Sequence, residues 1–254
     1  GDASTEADKL PKVGTYTLSA GADDRASITA TQYEASLALF DISLGDGSVA
    51  IPGLGTAVHA ILIAHARANR RIALLSESET ASTSTLLTTA ENLNSEYAGL
   101  FAPWVQISAA TGNRYTSPEG YVAASRNRAH VQVGPWRAAA GQLSIARSVI
   151  GLKYDYTRTQ GDALDAGKVN AIRTVGGSIR VYGWRSLSED TANYAMLYAR
   201  DVLNRIVTVA EQRLEQYVFE VVDGKGALLS QIHGTLVSIV ESMATAGGLF
   251  ARVN

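Results

Sequence analysis

Apolar residues recur along this 254-residue chain with more than one period, and each period predicts a different element. From Thr56 to about Asn69, Val58, Ile61, Leu62 and His65 fall at helical spacing and predict an amphipathic helix. Ile72-Ala73-Leu74-Leu75 follows as an unbroken apolar run, the pattern of a strand covered on both faces. Upstream, Val49-Ala50-Ile51-Pro52 reads as a short strand joined to the helix by a Gly53/Gly55 turn. The Ser/Thr-rich stretch 76–89 resembles low complexity, yet Leu86, Ala90, Leu93 and Tyr97 step by four, three and four and predict a helix over its second half. Gly99 to Ile107 is another extended run, interrupted by Pro103. Strand and helix alternate throughout, which predicts an α/β fold with a largely parallel sheet flanked by helices.

The later half adds a hairpin and two helices. Val169–Val175 and Ser178–Tyr182 are extended runs separated by Gly176-Gly177, a pair free to take the positive φ of a tight turn. In the second run Ile179 and Val181 point one way, Arg180 and Tyr182 the other. A helix over Asp201–Tyr217 is expected to bury Leu203, Ile206, Ala210, Leu214 and Tyr217. A last helix over Leu228–Ala246 is expected to bury Leu229, Ile232, Leu236, Ile239 and Met243, with Gly234 there for close packing. Near the start, Thr31 and Glu34 have capping-box spacing, with Tyr33, Leu37 and Phe40 on one face. Residues 1–20 are polar and predict an N-terminal arm or linker, leaving 21–254 as the core domain. The chain opens on Gly1 and closes on a Gly247-Gly248 turn running into a short strand, so a fragment or trimmed core is expected.

Composition narrows the chemistry. Twenty-two basic and 24 acidic side chains give a net charge of −2, with no bulk attraction to nucleic acid or anionic lipid. With no cysteine there is no disulfide, thiolate metal site or cysteine nucleophile. No run of about 18 apolar residues occurs, so no membrane-spanning helix is predicted. His59 and His65 are six apart, on different helical faces, and do not make a zinc pair. Gly53-Leu54-Gly55 sits where a phosphate loop would, but the third glycine and any Gly-Lys-Ser/Thr are absent. Gly177-Ser178-Ile179 lacks the closing glycine of a nucleophile elbow. Asp23-Asp24 and Asp41 to Asp46 read as turn residues, and Gly45-Asp46-Gly47 is too short for a calcium loop. Arg126, Arg128, Arg137 and Arg147, with Trp136 between them, form the one basic-aromatic cluster, read as an interface or salt-bridged surface before a nucleic-acid patch. No catalytic, cofactor-binding or metal residue is nominated.

A series of collinear blocks says more. Tyr97-Ala98-Gly99-Leu100-Phe101-Ala102-Pro103-Trp104-Val105 is followed by Pro118-Glu119-Gly120-Tyr121-Val122-Ala123, then Gly134-Pro135-Trp136-Arg137-Ala138-Ala139-Ala140-Gly141. Val169-Asn170-Ala171-Ile172-Arg173 and Ile179-Arg180-Val181-Tyr182-Gly183-Trp184-Arg185-Ser186-Leu187 complete the order. From about Gly21 to Asn254 the chain resembles the tail sheath proteins of contractile bacteriophage tails and related contractile injection systems. It departs from their usual pattern at Ala138-Ala139-Ala140, at Tyr182-Gly183-Trp184, and after Phe219-Glu220, where Pro-Asn is replaced by Val221-Val222.

The resemblance implies a "subtilisin-like" α/β core without a protease triad, no enzyme activity and no cofactor. It implies copies of the chain polymerised in a helical sheath around an inner tail tube protein, with baseplate and tail terminator proteins at its ends. Contraction would then drive the tube through a cell envelope. The implied location is the virion's contractile tail, assembled in the bacterial host cytoplasm, with neither nucleic acid nor membrane insertion involved. A full-length protein is expected to form hollow cylinders, and this chain, with short ends, a monomer. Two other readings remain open at this point: a non-contractile baseplate or scaffold component of the same machine, and an α/β enzyme holding a phosphorylated ligand at Gly53/Gly55.

Overall fold

Four parallel strands carry the centre of the computed structural model, which describes residues 14, 15, 17, 21, 27–222 and 224–249. They are β1 (Gly47–Val49), β2 (Arg71–Leu75), β3 (Ala98–Ala102) and β7 (Val169–Val175), side by side in that order, with β8 (Ser178–Val181) antiparallel at the far edge. Every residue of β2 and β3 is buried, as the apolar runs predict for strands covered on both faces. Successive residues of β2 serve different cores. Ala73 and Leu75 meet Leu62 and Ala66 of α2 (His59–Ala68), Leu86 and Ala90 of α3 (Thr83–Glu91) and Leu164 of α5 (Arg158–Ala166). Ile72 and Leu74 face the other way, toward Val122 and Ala129 of α4 (Glu119–Gln132), Trp184, and Leu197 of α7 (Leu197–Leu214), which follows the one-turn helix α6 (Thr191–Tyr194).

Several of the blocks quoted above hold this frame together. Asn170 is fully buried on β7; its amide donates to the Leu100 and Arg185 carbonyls at 3.2 and 2.9 Å and accepts from the Arg185 N–H at 2.5 Å. Gly183 lets that segment lie against Asn170, since a Cβ there would fall 3.0 Å from its side-chain oxygen. The Trp104 indole donates to the Glu77 carbonyl at 2.8 Å, tying the end of β3 to the end of β2. The hairpin forms as predicted, with φ of 58° and 74° at Gly176 and Gly177.

The structure corrects the sequence reading in specific places. The extended run Gly99–Ile107 is two strands in two sheets: after Pro103 the chain enters β4 (Val105–Ala109), flanked by β5 (Gly112–Thr116) and β6 (Val149–Leu152) in an antiparallel sheet of its own. Proline lacks the N–H a ladder needs, so the break falls there. The early strand is Gly47–Val49, earlier than Val49–Pro52. The capping box belongs to Thr29 and Gln32, with the Thr29 N–H donating to Gln32 Oε1 at 2.9 Å, at the start of α1 (Ala30–Leu37). Thr31 and Glu34 lie inside that helix, and Phe40 is past its end and exposed. The turn expected to open the helix at Thr56 is a 3-10 turn, Gly55–Val58, before α2. The helix predicted over the second half of 76–89 forms as Thr83–Glu91, but Leu93 and Tyr97, expected on its face, lie beyond its end. Gly234, in α8 (Ala227–Thr245), has open space around it and answers to no close packing. Most of the expected 1–20 arm, and the closing strand beyond Leu249, lie outside the described residues.

Candidate assembly surface

The glycine turn and the histidine pair weighed in the sequence are both engaged by the protein's own groups. At the Gly53/Gly55 turn the buried Glu77 carboxylate lies against Gly55, and its two oxygens accept from Thr89 Oγ1 at 2.6 Å and the Ser78 N–H at 3.1 Å. A negative charge thus sits where a phosphate would go, and a 3-10 turn takes the place of an open helix N-terminus. His59 is buried with Nε2 2.9 Å from the Ser76 carbonyl. His65 packs against Arg71, whose Nη1 lies 3.0 Å from His65 Nε2; burial and then that guanidinium push the imidazole below its ordinary pKa, so it stays neutral. Among the described residues no three His, Asp or Glu side chains stand together to hold a metal.

The fold divides the arginine cluster: Arg128 and the exposed Arg147 line one cleft, which Arg126, Arg137 and Trp136 do not line. Arg126 is buried and paired with Asp201, while Arg128 donates to the Leu143 and Ile145 carbonyls at 3.1 and 3.0 Å. Trp136 packs between Gly134 and Gly248, neither of which has room for a side chain. Arg137 remains exposed beside it.

Helices α7 and α8 differ most from expectation. The buried face of α7 is Leu197, Asp201, Val202, Asn204 and Thr208, and not the Leu203–Tyr217 stripe that apolarity predicts. Leu203 and Val207 are exposed, Ile206 and Ala210 half-buried. The cause lies across the interface on α4. The Asp201 carboxylate, with no side-chain exposure, accepts from Arg126 at 2.6 Å and lies 3.4 Å from His130 Nε2. Burial presses the Asp201 carboxyl toward the neutral form, but Arg126 and His130 outweigh it and hold it below the usual carboxylate pKa. Arg200 Nε donates to Asn204 Oδ1 at 3.1 Å and its guanidinium lies 4.5 Å over the Tyr97 ring. Ion-pair matching across the core therefore overrode amphipathic period, and in the sequence its signal is Arg126 and His130 at i, i+4, a spacing that puts both on one face of a helix.

The last helix, α8, packs back on α7, where the Tyr217 hydroxyl lies 2.9 Å from Thr235 Oγ1. Of its expected stripe only Ile239 and Met243 are buried; Leu229 and Leu236 are exposed, with Val237 and Val240 beside them. The link between the two helices is more open still. Val218, Phe219, Val221 and Val222 are all exposed, Phe219 completely. Phe219 also takes a φ of 76°, a conformation that costs a bulky side chain on the order of 1 kcal/mol or more. Exposed apolar side chains thus recur on these two helices and the segment that links them. Among the described residues no helix is long and apolar enough to cross a membrane.

No protein-family profile matches the sequence, and no curated protein matches it. Solved structures do. The chain superposes with a TM-score of 0.69 and 17% identity on a chain of the extracellular contractile injection system PVC sheath complex in its contracted state, covering 81% of this chain and 57% of that one. The anti-feeding prophage baseplate gives 0.66 at 15% identity, over 81% and 55%. The sheath tail protein of Desulfitobacterium hafniense gives 0.61 at 16%, over 92% and 55%. The chain thus spans little more than half the length of the solved chains it matches. At these identities the likeness is one of fold, and the fold of this chain is that of the sheath proteins of contractile injection systems.

Proposed function

We propose that the chain is the core, residues 21–254, of a structural subunit that polymerises around an inner tube as a contractile sheath and shortens to drive the tube through a cell envelope. Residues 1–20 act as its N-terminal arm. The observation that carries this reading is the apolar outer layer: α7 turns its polar residues inward and leaves Leu203 and Val207 outside, and α8 leaves Leu229, Leu236, Val237 and Val240 uncovered. A subunit that is always surrounded by neighbours can afford such a surface; a free monomer tends not to expose one. The shared fold supports the same reading, and the occupied Gly53/Gly55 turn gives no support to an enzyme. The inner tail tube, baseplate and terminator proteins are the proposed partners, and the virion's contractile tail the proposed location.

Negative-stain microscopy of the full-length protein tests this. Hollow cylinders are the expected result; a full-length protein that stays monomeric across salt and protein concentration overturns it. Likeness to a solved baseplate favours a second reading, a non-contractile baseplate component. Copy number in the native particle separates the two: very many for a sheath, a few for a baseplate.

A further inference from the structure

The α7–α8 pair carries complementary features at its two ends. At one end the linking segment presents Phe219, fully exposed and in a left-handed backbone conformation, with Val218, Val221 and Val222 beside it. At the other, the start of α7 and the residues after α8 form a cleft of about 500 Å³ walled by Trp136, Tyr194, Tyr198, Ala199 and Leu203. The walls are mostly aromatic and apolar, with Asn193 as a polar side chain among them, and the space exceeds what one phenyl ring needs. Charge agrees with shape. Glu220 follows Phe219, Arg137 follows Trp136, both are exposed, and neither forms an ion pair among the described residues.

We infer that the Phe219 segment of one copy seats in the Trp136–Tyr198 cleft of a second copy, with Glu220 meeting Arg137, so that copies join head to tail. The inference rests on the reading of the chain as a self-assembling subunit and names one contact of that assembly. The two features cannot meet within one chain: the 18 residues of α7 alone separate them by about 27 Å at 1.5 Å per residue. A knob and a socket at opposite ends form a heterologous contact, which propagates into rings or helical filaments instead of stopping at a dimer. The contact is small. Phe219 buries about 200 Å², and three valines leave the total below the roughly 1,200 Å² that a stable pair needs. Isolated copies in dilute solution therefore stay monomeric, and the contact becomes effective when other contacts bring copies together.

The absence of native cysteine makes the test direct. The double variant Phe219→Cys/Ala199→Cys, mildly oxidised at high protein concentration, is expected to give a ladder of disulfide-linked multimers. An internal bond is ruled out, because disulfide Cα atoms lie within about 7 Å. A mixture of the two single variants is expected to stop at a heterodimer joined through positions 219 and 199. Glu220→Arg in the double variant should weaken the ladder several-fold, and adding Arg137→Glu should restore it. Links only between two 219 positions, no links above those of scrambled collision, or charge reversals without effect overturn the inference. Cylinders from a full-length Phe219→Ser protein identical to wild type also overturn it while leaving the sheath reading intact. A ladder without cylinders does the reverse.

Discussion

Strand β2 and helix α7 pack against one another and solve burial in opposite ways. From Ile72 to Leu75 the strand is apolar on both faces, and its backbone groups are absorbed by the ladders to β1 and β3. The helix presents Asp201, Asn204 and Thr208 to the same interior beside Leu197 and Val202, and leaves Leu203 and Val207 outside. A dry strand needs only neighbours of the right volume. A polar helix face needs particular partners in particular places, Arg126 and His130, and this fixes how α7 seats on the sheet. With its orientation locked by that ion pair, α7 can turn apolar residues outward, toward α8 and solvent.

The largest expected effect breaks that lock. Asp201→Ala strands the Arg126 guanidinium, 8% exposed, without a counter-charge, and should cost about 3–5 kcal/mol in urea denaturation. Replacing both partners, Asp201→Leu with Arg126→Met, should recover most of the loss, because the desolvation penalty leaves with the charges. If the double variant is as unstable as the single one, the pair does not act as a unit. On the strand side Leu74→Ala, at 1% exposure, should cost about 2–5 kcal/mol through lost burial and the cavity left behind. No second substitution nearby should rescue it by charge.

The contrast also explains which parts were legible in the sequence. The unbroken run Ile72–Leu75 and the Gly176-Gly177 pair announce their elements, because burial on two faces and positive φ are local demands. The parallel sheet with its flanking helices follows from them. Strand β5, Gly112–Thr116, is polar and largely exposed, so no apolar pattern marks it; its pairing with β4 is what makes it a strand. Helix α5 does carry a local signal, the capping box of Thr157 and Gln160, whereas α4 opens without one. For α7 the helix was legible and its face was not. Apolar stripes point to whatever covers them, and the core of this chain leaves Leu203 and Val207 more than a third exposed.

Acidification should separate the two sides more gently. Both Asp201 and His65 have folded pKa values below their unfolded ones, so each contributes stability that is present above the unfolded value and lost as pH falls through the folded one. For His65, beside Arg71 under the start of β2, the loss begins near pH 6.5; for Asp201 it begins near pH 4. Stability measured by denaturation should therefore fall in two stages. His65→Gln should flatten the upper stage and leave the lower one, and a variant that still loses stability between pH 6.5 and 5 assigns that stage to another group.

The smallest effect on the monomer is the most informative about the outer layer. Leu229→Ser and Val240→Ser each remove an aliphatic side chain that is more than 40% exposed, so the fold loses little, within about 0.5 kcal/mol. The same change at Leu74 would be ruinous, although the residues are of one kind. If the outer face of α8 exists to be covered by neighbours, the two serines should leave the denaturation midpoint in place and abolish or shorten the cylinders formed by the full-length protein. A large loss of stability would show instead that α8 is seated by these residues, and cylinders of unchanged length and yield would show that no neighbour covers them. Stability and assembly then part company on one helix, which is what a surface built for copies of itself requires.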